Sequence, residues 1–166
     1  PTIECMDFVG MTKVDIEKAF KRWGDPTAAK RGIKITTYGG HGNGGKFYMR
    51  EMFKESHFIT YKNGILNIFG FMDKDYGYAK GFENKKMTVM EAMEIADIVS
   101  LPISTKIKNK IIAGDTGFTV VKGISPEGMK NKFKIAKEIE VFKNHPQARR
   151  ILLRTNVAVV YNSQSA

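Results

Sequence analysis

Alternating apolar and polar residues predict a β-hairpin in the first half of the chain. The segments His57–Tyr61 and Ile65–Met72 are rich in β-branched and aromatic residues, which are typical of strands. Asn63 and Gly64 lie between them, and this dipeptide accepts the positive φ angles of a type I′ turn. We therefore expect the two segments to pair as antiparallel strands.

Helical periodicity predicts a helix on either side of this hairpin. The first begins after Thr12, which has the character of an N-cap, and continues to Trp23. The second covers Thr88–Val99, where Thr88 and Glu91 have the spacing of a capping box. Other segments have weaker signals: we expect strands within residues 1–11 and at Ile33–Tyr38, Ser104–Ile112, Phe118–Val121 and Val157–Tyr161, and helices at Lys46–Glu55 and Met129–Lys143.

These elements indicate one α+β fold over residues 1–166. Strands predominate, and the one connection with a clear turn signal, Asn63-Gly64, joins antiparallel strands. We predict a single domain with a mostly antiparallel sheet of about five or six strands and about three or four helices.

Lysine alternates with isoleucine in the predicted strand Ser104–Ile112. In an extended strand, Lys106, Lys108 and Lys110 would share one face at intervals of about 6.6 Å. Such a row could contact successive phosphates of a nucleic acid. A solvated edge strand that uses lysines to prevent edge pairing explains the same pattern.

A glycine-rich loop separates the predicted strand Ile33–Tyr38 from the predicted helix that begins at Lys46. Strand, glycine loop and helix form an arrangement that can surround a phosphate with backbone N–H groups. Most of the nucleotide-binding pattern G-x-x-x-x-G-K-[ST] is present, but Phe47 occupies the position of the metal-binding hydroxyl. The alternative is a loop without a ligand. The candidate phosphate-binding residues are Gly40, His41, Gly42, Gly44, Gly45 and Lys46.

Tyrosines, glycines and lysines alternate in the segment that follows the hairpin. It resembles the octapeptide of the RNA-recognition-motif family, with matches at Lys74, Tyr76, Gly77, Tyr78 and Ala79, although Asp75 replaces a glycine and the last aromatic is displaced to Phe82. Independently of that family, Tyr76 and Tyr78 on one strand face could stack on bases while Lys74 and Lys80 bind phosphates. A surface loop is the alternative interpretation.

The overall charge favours a polyanionic partner. Lys and Arg number 27 against 17 acids, giving a net charge of +10, and such an excess is typical of nucleic-acid-binding proteins. Lysine outnumbers arginine, which suits contacts to phosphates better than bidentate base recognition. Arg149 and Arg150 lie close together near the C-terminus and join the candidate phosphate contacts. An anionic membrane surface is the less favoured partner.

Catalytic and metal-binding signals are weak. The three histidines and Cys5 lie far apart without zinc-ligand spacing, so we predict no metal and no cofactor. A single cysteine excludes an internal disulfide framework, and we see no signal peptide and no apolar run that could span a membrane. We therefore expect a cytoplasmic protein, with the nucleus or a virion as alternatives.

The sequence thus favours a non-catalytic protein that binds RNA or single-stranded DNA with weak sequence preference. Two other classes stay open. One is a self-assembling structural protein, such as a viral nucleocapsid, matrix or coat subunit, which would form a homo-oligomer. The other is a nucleotide-binding enzyme that uses the Gly40–Lys46 loop.

Overall fold

The computed structural model describes residues 2–20, 53–72, 75–98, 103–124, 140–141, 143–146, 149–150, 153, 160–161 and 164–165. Within these ranges the chain forms a six-stranded antiparallel sheet, a separate two-stranded sheet and three helices. The predicted α+β fold class is therefore confirmed. In chain order the elements are β1 Thr2–Asp7, α1 Lys13–Phe20, β2 Glu55–Lys62, β3 Ile65–Met72, β4 Asp75–Tyr78, β5 Lys85–Lys86, α2 Val89–Ile95, α3 Thr105–Ile112, β6 Phe118–Ile124, β7 Val160–Tyr161 and β8 Gln164–Ser165.

The predicted hairpin is the centre of the large sheet. Strands β2 and β3 pair along their whole length, from Glu55 opposite Met72 to Lys62 opposite Ile65. Asn63 and Gly64 have φ angles of 53° and 76°, as a type I′ turn requires. The strand order is β1-β6-β2-β3-β4, and β5 also pairs with β3. Strand β1 therefore forms one edge of the sheet, and β4 with β5 forms the other.

Apolar side chains are buried on both faces of this sheet. On one face, residues of β2, β3 and β6 pack against α2 and α3 around the fully buried Leu66, Met93, Ile111 and Phe118. On the opposite face, Ile16 of α1 packs against Phe58 and Phe69, whose rings stack at 4.9 Å.

Local capping explains where two of the helices begin. Thr12 Oγ1 accepts a hydrogen bond from the Asp15 backbone N–H, and the Asp15 carboxylate accepts one from the Thr12 backbone N–H at 2.8 Å. Thr88 and Glu91 make the same reciprocal pair, so the predicted capping box of α2 is confirmed. These bonds satisfy backbone donors that lack partners inside the first helical turn.

Buried threonines attach the β1–α1 connection to the sheet. Thr60 Oγ1 accepts a hydrogen bond from the Met11 backbone N–H at 2.7 Å and lies 3.0 Å from Thr119 Oγ1. Thr119 Oγ1 in turn donates to the Val9 carbonyl at 2.8 Å. The connection therefore follows one end of the sheet and delivers α1 to the face that carries Phe58.

Two sequence predictions are wrong. Thr105–Ile112 is a helix, not a strand, because Ser104 caps it through the Ile107 backbone N–H and the apolar face of the helix covers the sheet. The predicted helix Lys46–Glu55 does not extend to its last residue, since Glu55 already pairs with Met72 and Ile124 as the first residue of β2. Ladder hydrogen bonds with two neighbouring strands outweigh the local helical pattern there.

Other predicted segments lie partly or wholly outside the described residues. These are Ile33–Tyr38, the glycine-rich loop with Lys46, most of Met129–Lys143, and the first part of Val157–Tyr161. The last two residues of that final segment form β7, which pairs with β8 in the polar tail that follows.

A candidate nucleic-acid interface at one edge of the sheet

The outer side of β3 carries two short strands joined by an irregular loop. After β4, the Ala79 N–H donates to the Ile68 carbonyl at 2.8 Å and the Ile68 N–H donates to the Phe82 carbonyl at 3.0 Å. The side-chain oxygen of the buried Asn67 then accepts from the Asn84 backbone N–H at 2.7 Å. We call residues 75–86, which include β4, this loop and β5, the β4–β5 edge.

Three lysines project from the β4–β5 edge into solvent. Lys80 lies in the loop, whereas Lys85 and Lys86 form β5 and pair with Leu66 and Ile65. All three side chains are exposed, and no acid in the described part of the chain lies within ion-pair distance of them. We call Lys80, Lys85 and Lys86 the edge lysines.

Two tyrosines lie on the same edge and share one face of the sheet. The Tyr76 ring is 4.7 Å from the Phe71 ring, and the Tyr78 ring meets the Phe69 ring edge-on at 6.3 Å. Both tyrosines are half-buried. Burial, together with the neighbouring Tyr78, raises the pKa of Tyr76 to about 12. Both rings therefore pack partly against the core, and the hydroxyl oxygen of Tyr78 is itself buried.

Lys13 connects helix α1 to this edge. Its ammonium group lies 2.6 Å from Glu83 Oε1 and 3.9 Å from Glu17 Oε1, and 5.9 Å from the centre of the Tyr78 ring. The hydrogen bond to Glu83 raises the pKa of Lys13. This contact offsets the charge of Glu83, so the three edge lysines outnumber Asp75, the other acid of the segment.

The structure separates the predicted lysine row from the tyrosines. Because Thr105–Ile112 is a helix, Lys106 and Lys110 lie one turn apart on its exposed side, whereas Lys108 is half-buried on another side. This helix packs through Ile107 and Ile111 on the sheet face opposite Tyr76 and Tyr78. The three lysines therefore do not form the single row that an extended strand would create.

Arg149 and Arg150 occupy a helical turn and are exposed. The Arg149 N–H donates to the His145 carbonyl at 3.0 Å, and its guanidinium donates to Asn144 Oδ1 at 3.3 Å and to the Lys143 carbonyl. These bonds orient Arg149 along its own turn.

The remaining predicted site residues lie outside the described ranges. They are Lys74 and the phosphate-loop candidates Gly40, His41, Gly42, Gly44, Gly45 and Lys46.

The described ranges contain no group of three or more His, Cys, Asp or Glu residues placed to hold a metal ion. No helix in the same ranges is both long enough and apolar enough to cross a membrane.

Sequence reasoning proposed Lys80, Tyr76 and Tyr78 but not Lys85 and Lys86. The adjacent lysines directly precede a capped helix, and pairing with β3 places Lys86, opposite Ile65, on the sheet face of the tyrosines and Lys85, opposite Leu66, on the other face. The sequence carries one local indication of this strand, the tripeptide Asn84-Lys85-Lys86 that follows a glycine-containing turn. Comparison of the chain with protein-family models, curated proteins and solved structures finds no match.

Proposed function

We propose that this protein is a non-catalytic nucleic-acid-binding protein and that the β4–β5 edge contacts the phosphates of single-stranded RNA or DNA. The observation that carries the proposal is the combination, on one sheet edge, of two half-buried tyrosines and three exposed edge lysines that have no acid within ion-pair distance in the described ranges. The net charge of +10 supports it, because polyanion binding releases counterions and needs such an excess.

The length of the β4–β5 edge matches that of a short single-stranded nucleic acid. Tyr76 pairs with Phe71 and Lys86 pairs with Ile65, so the candidate residues extend along about 20 Å of β3. An extended chain of about three nucleotides, at roughly 6–7 Å per phosphate, covers that length. The lysines would contact phosphates while the exposed part of the half-buried Tyr76 ring, with that of Tyr78, contacts bases.

The proposed contacts predict a particular kind of binding. Lysine ammonium groups bind phosphates as point charges and do not read base edges. Base stacking on tyrosine tolerates any base, since every base has a π-face. We therefore expect weak sequence preference, strong salt dependence and a preference for single-stranded over double-stranded RNA of the same sequence.

Fluorescence anisotropy with a labelled single-stranded RNA of about twelve nucleotides tests the proposal across a salt series. The first variant replaces Lys80, Lys85 and Lys86 with Gln. The charge-matched control replaces the exposed Lys106, Lys110 and Lys143 with Gln. We expect the edge variant to lose at least about tenfold in affinity and about two units of salt slope, as the loss of three single-strand phosphate contacts implies.

The possible results of this experiment distinguish an incorrect binding site from an incorrect function. Equal losses in the edge variant and the control would show that the charge of the whole surface binds the RNA and would contradict the β4–β5 edge as the site. No binding by the wild type even at low salt would contradict nucleic-acid binding itself.

A further inference from the structure

Strand β1, at the opposite side of the sheet, presents a second edge with different properties. All six of its residues pair in continuous register with β6, from Thr2 opposite Ile124 to Asp7 opposite Thr119. In the described part of the chain β6 is its only strand partner. Every side chain of β1 except the half-buried Met6 is exposed, and within the described ranges its second backbone edge pairs with no strand.

This edge lacks most of the features that normally prevent strand pairing. Exposed edge strands are usually protected by charged side chains, especially lysines, by prolines, by bulges or by short length, and β1 carries only the two acids Glu4 and Asp7. The β4–β5 edge has lysines and an irregular loop, whereas β1 has no lysine, no proline and no bulge. A chain with 27 Lys and Arg residues thus leaves a complete, regular backbone edge without a basic side chain.

The charge of β1 argues against a polyanion as its partner. Glu4 and Asp7 are the ionisable carboxylates of the strand, and each already has a partner within the chain. Glu4 Oε1 lies 3.0 Å from Lys122 Nζ, and Asp7 Oδ1 accepts a hydrogen bond from the Val9 N–H at 2.8 Å. The remaining unsatisfied groups are backbone donors and acceptors, which another extended strand satisfies best.

We propose that β1 pairs antiparallel with β1 of a second copy of this chain, around a two-fold axis. The two sheets then form one continuous sheet across the dimer, with the β4–β5 edges at its two outer ends. An isologous contact of this kind closes the assembly at two copies, because each β1 edge is used once.

Backbone geometry and charge determine the register of the proposed pair of β1 strands. Alternate residues of β1 direct their N–H and C=O groups to β6, and the others direct them outwards, so outward residues must face outward residues in the dimer. The two longest symmetric registers that meet this condition are centred on Glu4 and on Cys5. The first places Glu4 opposite Glu4 of the other copy, and like charges directly opposite are destabilising. We therefore assign the register centred on Cys5.

In this register no side chain of β1 lies directly opposite a like charge of the other copy. Cys5 faces Cys5 across the axis, Glu4 faces Met6, and Ile3, which is 42% exposed in the single chain, faces Asp7. Opposite residues in an antiparallel pair have Cβ atoms about 4.5–5.5 Å apart, which brings the two thiols within reach of a short bifunctional reagent.

The competing arrangement joins β1 of one copy to the β4–β5 edge of the next. Acidic and basic side chains would then be neighbours, but the irregular loop after Tyr78 interrupts the second edge after four residues of β4. Such head-to-tail pairing does not close and would give growing oligomers rather than dimers.

Multi-angle light scattering after size exclusion tests the dimer at high salt, which excludes association through nucleic acid. We expect the mass to rise from 18.7 kDa to twice that value as the concentration increases from about 1 to about 200 µM. Cys5→Lys places two lysines opposite each other and should keep the chain monomeric. Val9→Lys is the matched control, because Val9 is 70% exposed and lies outside the strand.

A short bismaleimide locates the contact, because Cys5 is the single cysteine of the chain. We expect covalent dimers without larger species, and a cross-linking yield that falls on dilution. A monomeric wild type at every concentration, masses that grow beyond the dimer, or equal dimerisation of Cys5→Lys and Val9→Lys would each overturn the proposal. Far-ultraviolet circular dichroism of both variants verifies that each is folded.

Discussion

Gly70 and Gly77 face each other across β3 and β4, yet only Gly77 has space for a side chain. A Cβ at position 70 would collide with the Ser56 carbonyl of β2, whereas a Cβ at position 77 would meet no atom within 4 Å. Backbone atoms held in a ladder cannot move aside as a flexible side chain can. The space at each position therefore depends on the neighbouring strand.

We predict that Gly70→Ala lowers the free energy of unfolding by about 3 kcal/mol or more, through overpacking against β2. Gly77→Ala should change it by less than about 1 kcal/mol, since Ala loses less backbone entropy than Gly on folding. Urea denaturation of both variants measures the difference. Equal effects would contradict the close approach of Gly70 to the Ser56 carbonyl.

Asp15 makes the stability of the α1 cap dependent on pH. The hydrogen bond from the Thr12 backbone N–H lowers the pKa of Asp15, with smaller contributions from the Thr12 hydroxyl and from Lys62. A carboxyl with a depressed pKa in the folded state stabilises the protein above its unfolded pKa, near 4, and this contribution is lost as the pH falls through the folded value.

We therefore predict that Asp15→Asn unfolds more easily than the wild type at pH about 7, and that the two free energies of unfolding converge below pH about 4. Chemical denaturation at several pH values measures the free energies of unfolding of the wild type and the variant. Glu17→Gln is the control, because it removes one carboxylate from the same helix and Glu17 is not among the groups that shift the pKa of Asp15. A difference that persists in acid would show that the substitution acts through packing.

The helix α3 shows how a tertiary contact selects between two local patterns. Lysine and isoleucine alternate along Thr105–Ile112, as in a strand, but Ile107 and Ile111 also have the i, i+4 spacing of a helix. Ser104 adds a helix N-cap, since its hydroxyl accepts from the Ile107 N–H. Packing of Ile107 and Ile111 against the sheet favours the helix, and the row of three lysines is lost as a consequence.

We predict that Ile111→Ala lowers the free energy of unfolding by about 2–5 kcal/mol, because Ile111 is fully buried. The same substitution at the neighbouring Ile112, which is 47% exposed, should cost less than about 1 kcal/mol. Thermal and urea denaturation of the two variants provide the comparison. Equal costs would be inconsistent with the orientation of this helix on the sheet.

At the scale of the whole molecule, the two edges of the large sheet have opposite character. The β4–β5 edge carries the lysines and tyrosines of the proposed nucleic-acid interface, whereas β1 carries the proposed dimer contact. Four strand spacings, or about 19 Å, separate β1 from β4. This distance exceeds the Debye length of about 10 Å at 0.1 M salt, so a charge added at one edge has little effect at the other.

We therefore predict that Cys5→Lys binds a short single-stranded RNA with an affinity within about twofold of the wild type, although it stays monomeric. Conversely, Lys80/Lys85/Lys86→Gln should dimerise as the wild type does. Anisotropy and light scattering on both variants measure the two properties separately. Parallel loss of RNA binding and dimerisation in either variant would contradict the independence of the edges.

The sequence by itself determined the elements whose causes lie within a few residues. The turn at Asn63-Gly64, the cap at Thr12 and the capping box at Thr88 each depend on backbone torsions or hydrogen bonds between near neighbours. The apolar pattern then sufficed for the α+β class, and the two-residue turn sufficed for the antiparallel hairpin. These predictions were accurate because local geometry leaves few alternatives.

Only the tertiary structure decided which side chains share a surface. Pairing with β3 brought Lys85 and Lys86 to the edge that carries Tyr76 and Tyr78, with Lys86 on the face of the tyrosines and Lys85 on the opposite face. Packing on the opposite face turned residues 105–112 into a helix and separated Lys108 from Lys106 and Lys110. The physical reason is that the free energy of burying an apolar face comes from residues distant in sequence, and it exceeds the small local preference between strand and helix.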